Sequence, residues 1–254
     1  MSKLTISRCT AREYSQLLSF LDIAFSKPGK RWHEKYFGHI FRRQSPYIEC
    51  NFLVREDKEI VGAIGVYPFS LRIGNARLSV AGIGSVSTSP RARGRGIMTL
   101  MLKHVLKTMK KEGFDVSWLG GNRYRYRTYG WDLGGRCVIF SVSLRDLVRH
   151  FPELPPVRIC KEDSERRKIC STLYCRFPSR VERNTQSWQN FKRRKEYARI
   201  VAKSHRGKAY MIYSRKNPQC VQEIQGEPRT AVALLTKHMK KHGIHDTGIF
   251  LYHE

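Results

Sequence analysis

Residues 85–98 read Ser-Val-Ser-Thr-Ser-Pro-Arg-Ala-Arg-Gly-Arg-Gly-Ile-Met: a β-favouring run, a turn of glycines and arginines, then the start of a helix. This order limits what the chain can build, because a strand must hand over to a helix within a few residues. Gly94 and Gly96 let the backbone adopt angles that a Cβ would penalise and approach a ligand closely. The first amides of the following helix have no intrahelical partner and attract anions. Arg91, Arg93 and Arg95 concentrate positive charge at the same place, so the segment reads as a pyrophosphate cradle. The same residues also fit an ordinary strand-to-helix connection with a solvated basic face.

The helix itself is amphipathic. Met98, Leu102, Val105 and Met109 recur at helical spacing, while Lys103, Lys107, Lys110 and Lys111 fall on the other side. The turn is not a P-loop, since the Gly-Lys-Ser/Thr ending is missing. Nor is it a dinucleotide fingerprint: Arg91-x-x-Gly94-x-Gly96 lacks the first glycine and the downstream acid.

Arg91-Ala92-Arg93-Gly94-Arg95-Gly96, preceded by Val86-Ser87-Thr88-Ser89-Pro90, resembles the acyl-CoA-binding motif of the GNAT acetyltransferase superfamily, Gln/Arg-x-x-Gly-x-Gly/Ala. About thirty residues on, Tyr126-Arg127-Thr128-Tyr129-Gly130-Trp131 is similar to that superfamily's Tyr-x-x-x-Gly-Phe segment, with Trp131 in the aromatic position. The resemblance implies a mixed α/β fold, a mostly antiparallel sheet flanked by helices. It implies acetyl-CoA as cosubstrate, held by Val86, Ser87, Thr88, Arg91, Arg93, Gly94, Arg95, Gly96 and Ile97. The backbone around Val86 and Thr88 would hold the pantetheine arm and polarise the thioester carbonyl, and Tyr126 matches the general acid.

The 254 residues suffice for one large domain or two small ones, and 41% are hydrophobic, enough to bury a core. No opening apolar leader or long uncharged stretch occurs, so a cytoplasmic protein without a membrane partner is expected. Seven scattered cysteines suit reduced thiols better than a disulfide framework. Formal charge is +27, and it is spread along the chain: residues 1–150 carry 26 basic and 11 acidic side chains, residues 151–254 carry 22 and 10. Such a field favours polyanions, acidic partners and the phosphates of CoA.

Strand-like runs at Leu4–Cys9, 52–55, 60–72, 78–88 and 114–119 and a helix over 11–25 make the first half a mixed α/β unit. Prolines 152, 155 and 156 break the periodicity, which places a boundary at 150/151 between a GNAT catalytic domain (1–150) and a second domain (151–254). The second half reads as helices over 164–176 and 184–194, strands over 197–203, 208–214 and 220–225, a helix over 228–242 with Pro228 in its first turn and Gly243 past its end, and a closing strand over 247–252. It repeats the strand-helix-strand order without an Arg-x-x-Gly-x-Gly, so it resembles the degenerate second copy of the Eis-like tandem acetyltransferases. Those usually continue into a sterol-carrier-like domain, whose contributions are not carried over.

Acetyl transfer to an amine needs a base, donors for the thioester oxygen and a proton for the leaving thiolate. A phenol suits the last role, since it stays protonated near neutral pH. Tyr124 and Tyr129 read as packing aromatics. The strand 78–88 contains no carboxylate, leaving Asp115, Asp132 or a water relay as base. His238, His242 and His245 have ligand-like spacing, but at a helix C-terminus cationic histidines are also favoured, and no metal is expected. Lys192–Lys195 is the densest basic run and the best polyanion contact.

These features imply direct transfer of acetyl from acetyl-CoA to a primary amine in a ternary complex, the acceptor being anionic or neutral. The alternative is a non-catalytic module of the same fold that binds nucleic acid or an acidic protein. Homo-oligomerisation is left open.

Overall fold

A computed structural model describes residues 3–26, 31–184, 187–188 and 196–253; the basic run at 192–195 and most of the helix expected over 184–194 lie outside them. Contacts divide the chain into two units, residues 1–133 and 134–254.

In the first unit, β1 (Leu4–Arg8), β2 (Asn51–Glu56), β3 (Glu59–Ile73), β4 (Ala76–Thr88) and β5 (Val116–Leu119) lie side by side in that order, antiparallel except for the β4/β5 pair. Strand alternation decides which helix each residue meets. Phe52, Val54, Ile64 and Val66 pack on α3 (Ile97–Lys111) through Ile97, Met101, Leu102 and Val105. Leu53 and Ala63, pointing the other way, meet Leu17, Leu18 and Leu21 of α1 (Tyr14–Ala24) and Phe41 beyond the short α2 (Trp32–Tyr36). The helix expected over 11–25 therefore forms, entered through a single 3₁₀ turn at Ala11–Glu13. A further short helix, α4 (Arg123–Tyr126), follows β5, its Asn122 side chain capping the N–H of Tyr124.

The second unit is a six-stranded sheet in the order β6-β12-β11-β10-β9-β7. Its strands are β6 (Arg136–Ser143), β7 (Arg158–Ile159), β9 (Tyr197–Lys203), β10 (Lys208–Ser214), β11 (Cys220–Gly226) and β12 (Asp246–His253), and a short β8 spans Ser179–Val181. Tyr210 and Ile212 pack towards α6 (Asp163–Tyr174), while Ala209 and Met211 pack towards α7 (Pro228–His242) and α5 (Leu144–His150). The central β10, buried from Ala209 to Ile212 without a break, is covered on both faces, as such a run requires.

The units part at 133/134 and not at the prolines near 151. The reason is β6, which pairs antiparallel with β12 over its whole length, from Arg136 opposite His253 to Ser143 opposite Asp246. A strand that completes one sheet belongs to that sheet, whatever breaks the helix behind it. Six cysteines, at 9, 50, 160, 170, 175 and 220, are free thiols. Among the described residues no helix is long and apolar enough to cross a membrane.

Candidate active site

The parallel β4/β5 pairing runs from Val80 opposite Val116 to Ile83 opposite Leu119 and stops there, because β5 ends while β4 continues to Thr88. On its other side β4 slips register against β3: Ala63 faces Ser87 but Gly65 faces Gly84, so Ser85 and Val86 together oppose Ile64. This is a bulge, and Ser85 within it has φ +56°. A bulge bends its strand, so the last residues of β4, still paired with β3 through Ser87 and Thr88, turn where β5 has already ended and leave their other edge open.

A cleft of about 570 Å³ opens at this point. Val86, Ser87 and Thr88 form one wall, and the turn with the first residues of α3 forms another through Arg93, Gly94, Gly96, Ile97 and Thr99. Ala24 and Phe25 close it from the end of α1, and Arg125 of α4 reaches its rim. Gly94 (φ +78°) and Gly96 (φ +75°) hold left-handed conformations that side chains rarely adopt, and a Cβ on either would meet no atom within 4 Å. Gly96 is the N-cap of α3, and it lays no side chain over the first helical amides. The helix thus presents bare donors and the positive end of its dipole to open space.

The three arginines of the turn separate. Arg91 pairs with Glu59, and Arg95 makes two hydrogen bonds to the Glu56 carboxylate, at 2.6 and 2.9 Å. Both are spent tying the turn to the β2–β3 hairpin and do not line the cleft, contrary to the expectation that all three face the ligand. Arg93 lines it and has no acid partner among the described residues. Arg125, which the sequence did not single out, is the second guanidinium there.

Tyr126 is 8% exposed and packs just beyond the end of β5, edge-on to Trp131 at 6.5 Å. A Cβ on Gly121 would sit 2.7 Å from its ring, so that glycine admits the phenol. The tyrosines expected to be packing aromatics differ from each other. Tyr124 is 87% exposed and does not pack, whereas the Tyr129 hydroxyl bonds the Thr99 hydroxyl of the cleft wall at 2.6 Å.

Neither carboxylate considered as a base lines the cleft. Asp115 accepts the Ser79 N–H at 2.7 Å, near the other end of β4. Asp132 is bound by Arg123 at 2.6 Å, and that hydrogen bond, with the Leu133 N–H and Arg127, holds its carboxyl below the usual carboxylate range. A different pair lies behind Phe25. Asp22 accepts the backbone N–H groups of Trp32 and His33 at 3.0 and 3.2 Å and meets His33 Nδ1 at 2.5 Å, both side chains being buried. The His33 ring lies 5.5 Å from that of Phe25. Sequence offers no local sign of this pair, whose members sit on two helices.

In the second unit His238 is buried, its Nε2 donating to the Pro218 carbonyl at 2.9 Å and its ring against Tyr213 and His242. Among the described residues no three side chains are grouped to hold a metal ion.

Residues 5–134 match the family model described as an acetyltransferase (GNAT) domain, half of the chain. No curated protein sequence matches. Solved structures do, at low identity and over nearly the whole chain. The GCN5-related N-acetyltransferase from Kribbella flavida is 19% identical with a TM-score of 0.78, over 98% of this chain and 64% of that one. A conserved protein of unknown function from Enterococcus faecalis V583, described as a probable N-acyltransferase, is 16% identical with a TM-score of 0.75, over 99% and 66%. Eis1 from Mycobacterium abscessus is 15% identical with a TM-score of 0.66, over 97% and 65%. This chain spans just under two thirds of the length of each, and the likeness is one of fold. With the matched domain covering the cleft, the turn and the Tyr126 segment, the chain belongs to the GNAT acetyltransferase family.

Proposed function

We propose that the first unit transfers an acetyl group from acetyl-CoA to a primary amine, directly, with both substrates bound together. The observation that carries this reading is the coincidence, in one cleft, of the bulged end of β4 and the uncapped N-terminus of α3. A pyrophosphate fits the Gly94–Ile97 amides and Arg93, and an extended pantetheine arm fits the edge of β4 that β5 leaves unpaired beyond Ile83. Backbone N–H groups between Val86 and Thr88 then lie where the thioester oxygen gains charge as the amine attacks. Tyr126, beside the end of β5, would give its proton to the departing thiolate.

The acceptor is anionic or neutral. Arg93 and Arg125 line the cleft, no carboxylate among the described residues does, and the chain's +27 repels polycations over roughly a Debye length, about 8–10 Å at ordinary salt.

Saturating acetyl-CoA, at about 100 times its dissociation constant, should stabilise the fold by ~2.7 kcal/mol, read as a rise in unfolding temperature. A flat response refutes the reading of the cleft. Tyr126→Phe should bind acetyl-CoA as the parent does and release thiol on the order of a hundredfold more slowly. Across a panel of amines at low salt, acidic peptides and neutral amines should outpace aminoglycosides, and the advantage should shrink as salt rises.

A further inference from the structure

Ser85 is a non-glycine residue in the left-handed region, at the one place where β4 must bend to open the cleft. Such a conformation persists only where the surroundings fix it. The surroundings are specific. Tyr67 of β3 extends its ring over the paired glycines Gly65 and Gly84, where a Cβ would come within 2.3 and 3.0 Å of it. Its hydroxyl lies 2.8 Å from Asn51 Oδ1 and 3.1 Å from Ser85 Oγ. Asn51 is fully buried, and its Nδ2 donates to the carbonyls of Tyr47 and Ile48 at 2.9 and 3.0 Å, which fixes the orientation of the amide. The directions then follow: Oδ1 can only accept, so the phenol donates to it, and the Ser85 hydroxyl donates to the phenol oxygen. On the cleft side the Ser87 hydroxyl donates to the Ser85 carbonyl at 2.9 Å.

We propose that Tyr67, anchored by Asn51, is a positioning residue that latches Ser85 in its left-handed conformation and so holds the backbone N–H groups of residues 86–88 on the cleft. Two glycines cleared for one aromatic ring, and a chain of hydrogen bonds running from the Tyr47–Ile48 carbonyls to the cleft wall, are more than packing requires. Burial pushes the phenol well above its ordinary pKa, so the latch keeps its proton across the working range. The catalytic consequence rests on the acetyl-transfer reading above; the conformational one does not.

The test compares the parent with Tyr67→Phe, Ser85→Ala and the double variant Tyr67→Phe/Ser85→Gly. Hydrogen exchange is followed in the peptide that carries residues 84–89, alongside acetyl-CoA affinity and turnover. Both single variants should exchange the amides of 86–88 at least tenfold faster and lose about tenfold in kcat, a fraction of what removing an oxyanion donor costs. KM for acetyl-CoA should rise by less than kcat falls, because the pyrophosphate turn is untouched and only the edge that seats the pantetheine arm is loosened. The double variant should recover most of kcat, since glycine takes the φ of Ser85 without help. Parent-like exchange in the single variants overturns the latch, as does a loss of kcat that glycine at position 85 fails to restore. Should the Tyr67→Phe chain fail to fold, Ser85→Ala decides alone, because it leaves the ring in place. If the parent neither binds nor turns over acetyl-CoA, the cleft reading falls while the exchange result still decides the latch.

Discussion

Gly96 tests the cradle most cleanly, because its backbone cost and its ligand effect separate. In Gly96→Ala the new methyl meets nothing within 4 Å, so the free protein suffers only from the angle, φ +75°. A left-handed L-residue costs roughly 1–2 kcal/mol. For a unit of 133 residues that corresponds to a fall in unfolding temperature of roughly 3–8 °C. If a pyrophosphate sits on the first amides of α3, the same methyl stands in its place. Losing about two charge-assisted hydrogen bonds there, at roughly 1.5–3 kcal/mol each, lowers CoA affinity about a hundredfold or more. Gly113 supplies the control. It lies just past the other end of the same helix at φ +73°, and a Cβ there would also meet no atom within 4 Å, so Gly113→Ala should cost similar stability and leave CoA affinity alone. Urea unfolding gives the first quantity and calorimetric titration with CoA the second. Parent affinity in Gly96→Ala, alongside the expected loss of stability, would refute the assignment of the turn as a phosphate cradle.

The arginines of the turn should divide as their partners do: Arg93→Ala should weaken acetyl-CoA binding about tenfold and reduce its salt dependence, while Arg91→Ala and Arg95→Ala stay within about threefold of the parent. Stability should also fall on mild acidification. Burial holds the pKa of His238 below the usual 6.5, against its bond to Pro218, and burial with Arg8 and Lys107 does the same for His104. The unfolded chain therefore binds these protons first, so the stability is complete above pH 6.5 and is lost as pH falls from there through the folded values. Unfolding temperature should drop between pH 7.5 and 5.5, and the drop should shrink in His238→Gln/His104→Gln; an unchanged slope would dismiss both histidines.

What the sequence revealed was local. Gly94, Gly96 and the spacing of Leu102, Val105 and Met109 specify a turn and a helix face without reference to anything distant, and α3 forms as they require. Pro228 and Gly243 likewise bound α7 at the residues expected. What stayed hidden depends on partners far along the chain. Whether Arg91, Arg93 or Arg95 faces the cleft is settled by Glu56 and Glu59, which reach the turn only because the β2–β3 hairpin folds beside it. The prolines near 151 are a true local break, but β6 joins β12 more than a hundred residues away, and pairing at that range leaves no mark on either strand. The bulge was invisible because nothing about serine announces a left-handed residue. Its signal is distributed over Gly65, Gly84, Tyr67 and Asn51, meaningful only once β3 and β4 are in register.

The contrast between the two units turns on one position. In the second, β11, α7 and β12 repeat the order of β4, α3 and β5, with β11 and β12 parallel as β4 and β5 are. Where α3 has Gly96, α7 has Glu227, whose carboxylate accepts the N–H of Arg229 at 3.2 Å and of Thr230 at 2.7 Å. Pro228 between them has no N–H to give. The donors that face open space in the first unit are consumed internally in the second, by a carboxylate whose pKa is held down by its bonds to Thr230. An incoming phosphate would meet a negative charge already seated on the helix. The same strand-helix-strand frame thus leaves its helix amides open to an anion with glycine at its N-cap and closes them with glutamate there, which supports the proposal that the first unit alone binds acetyl-CoA.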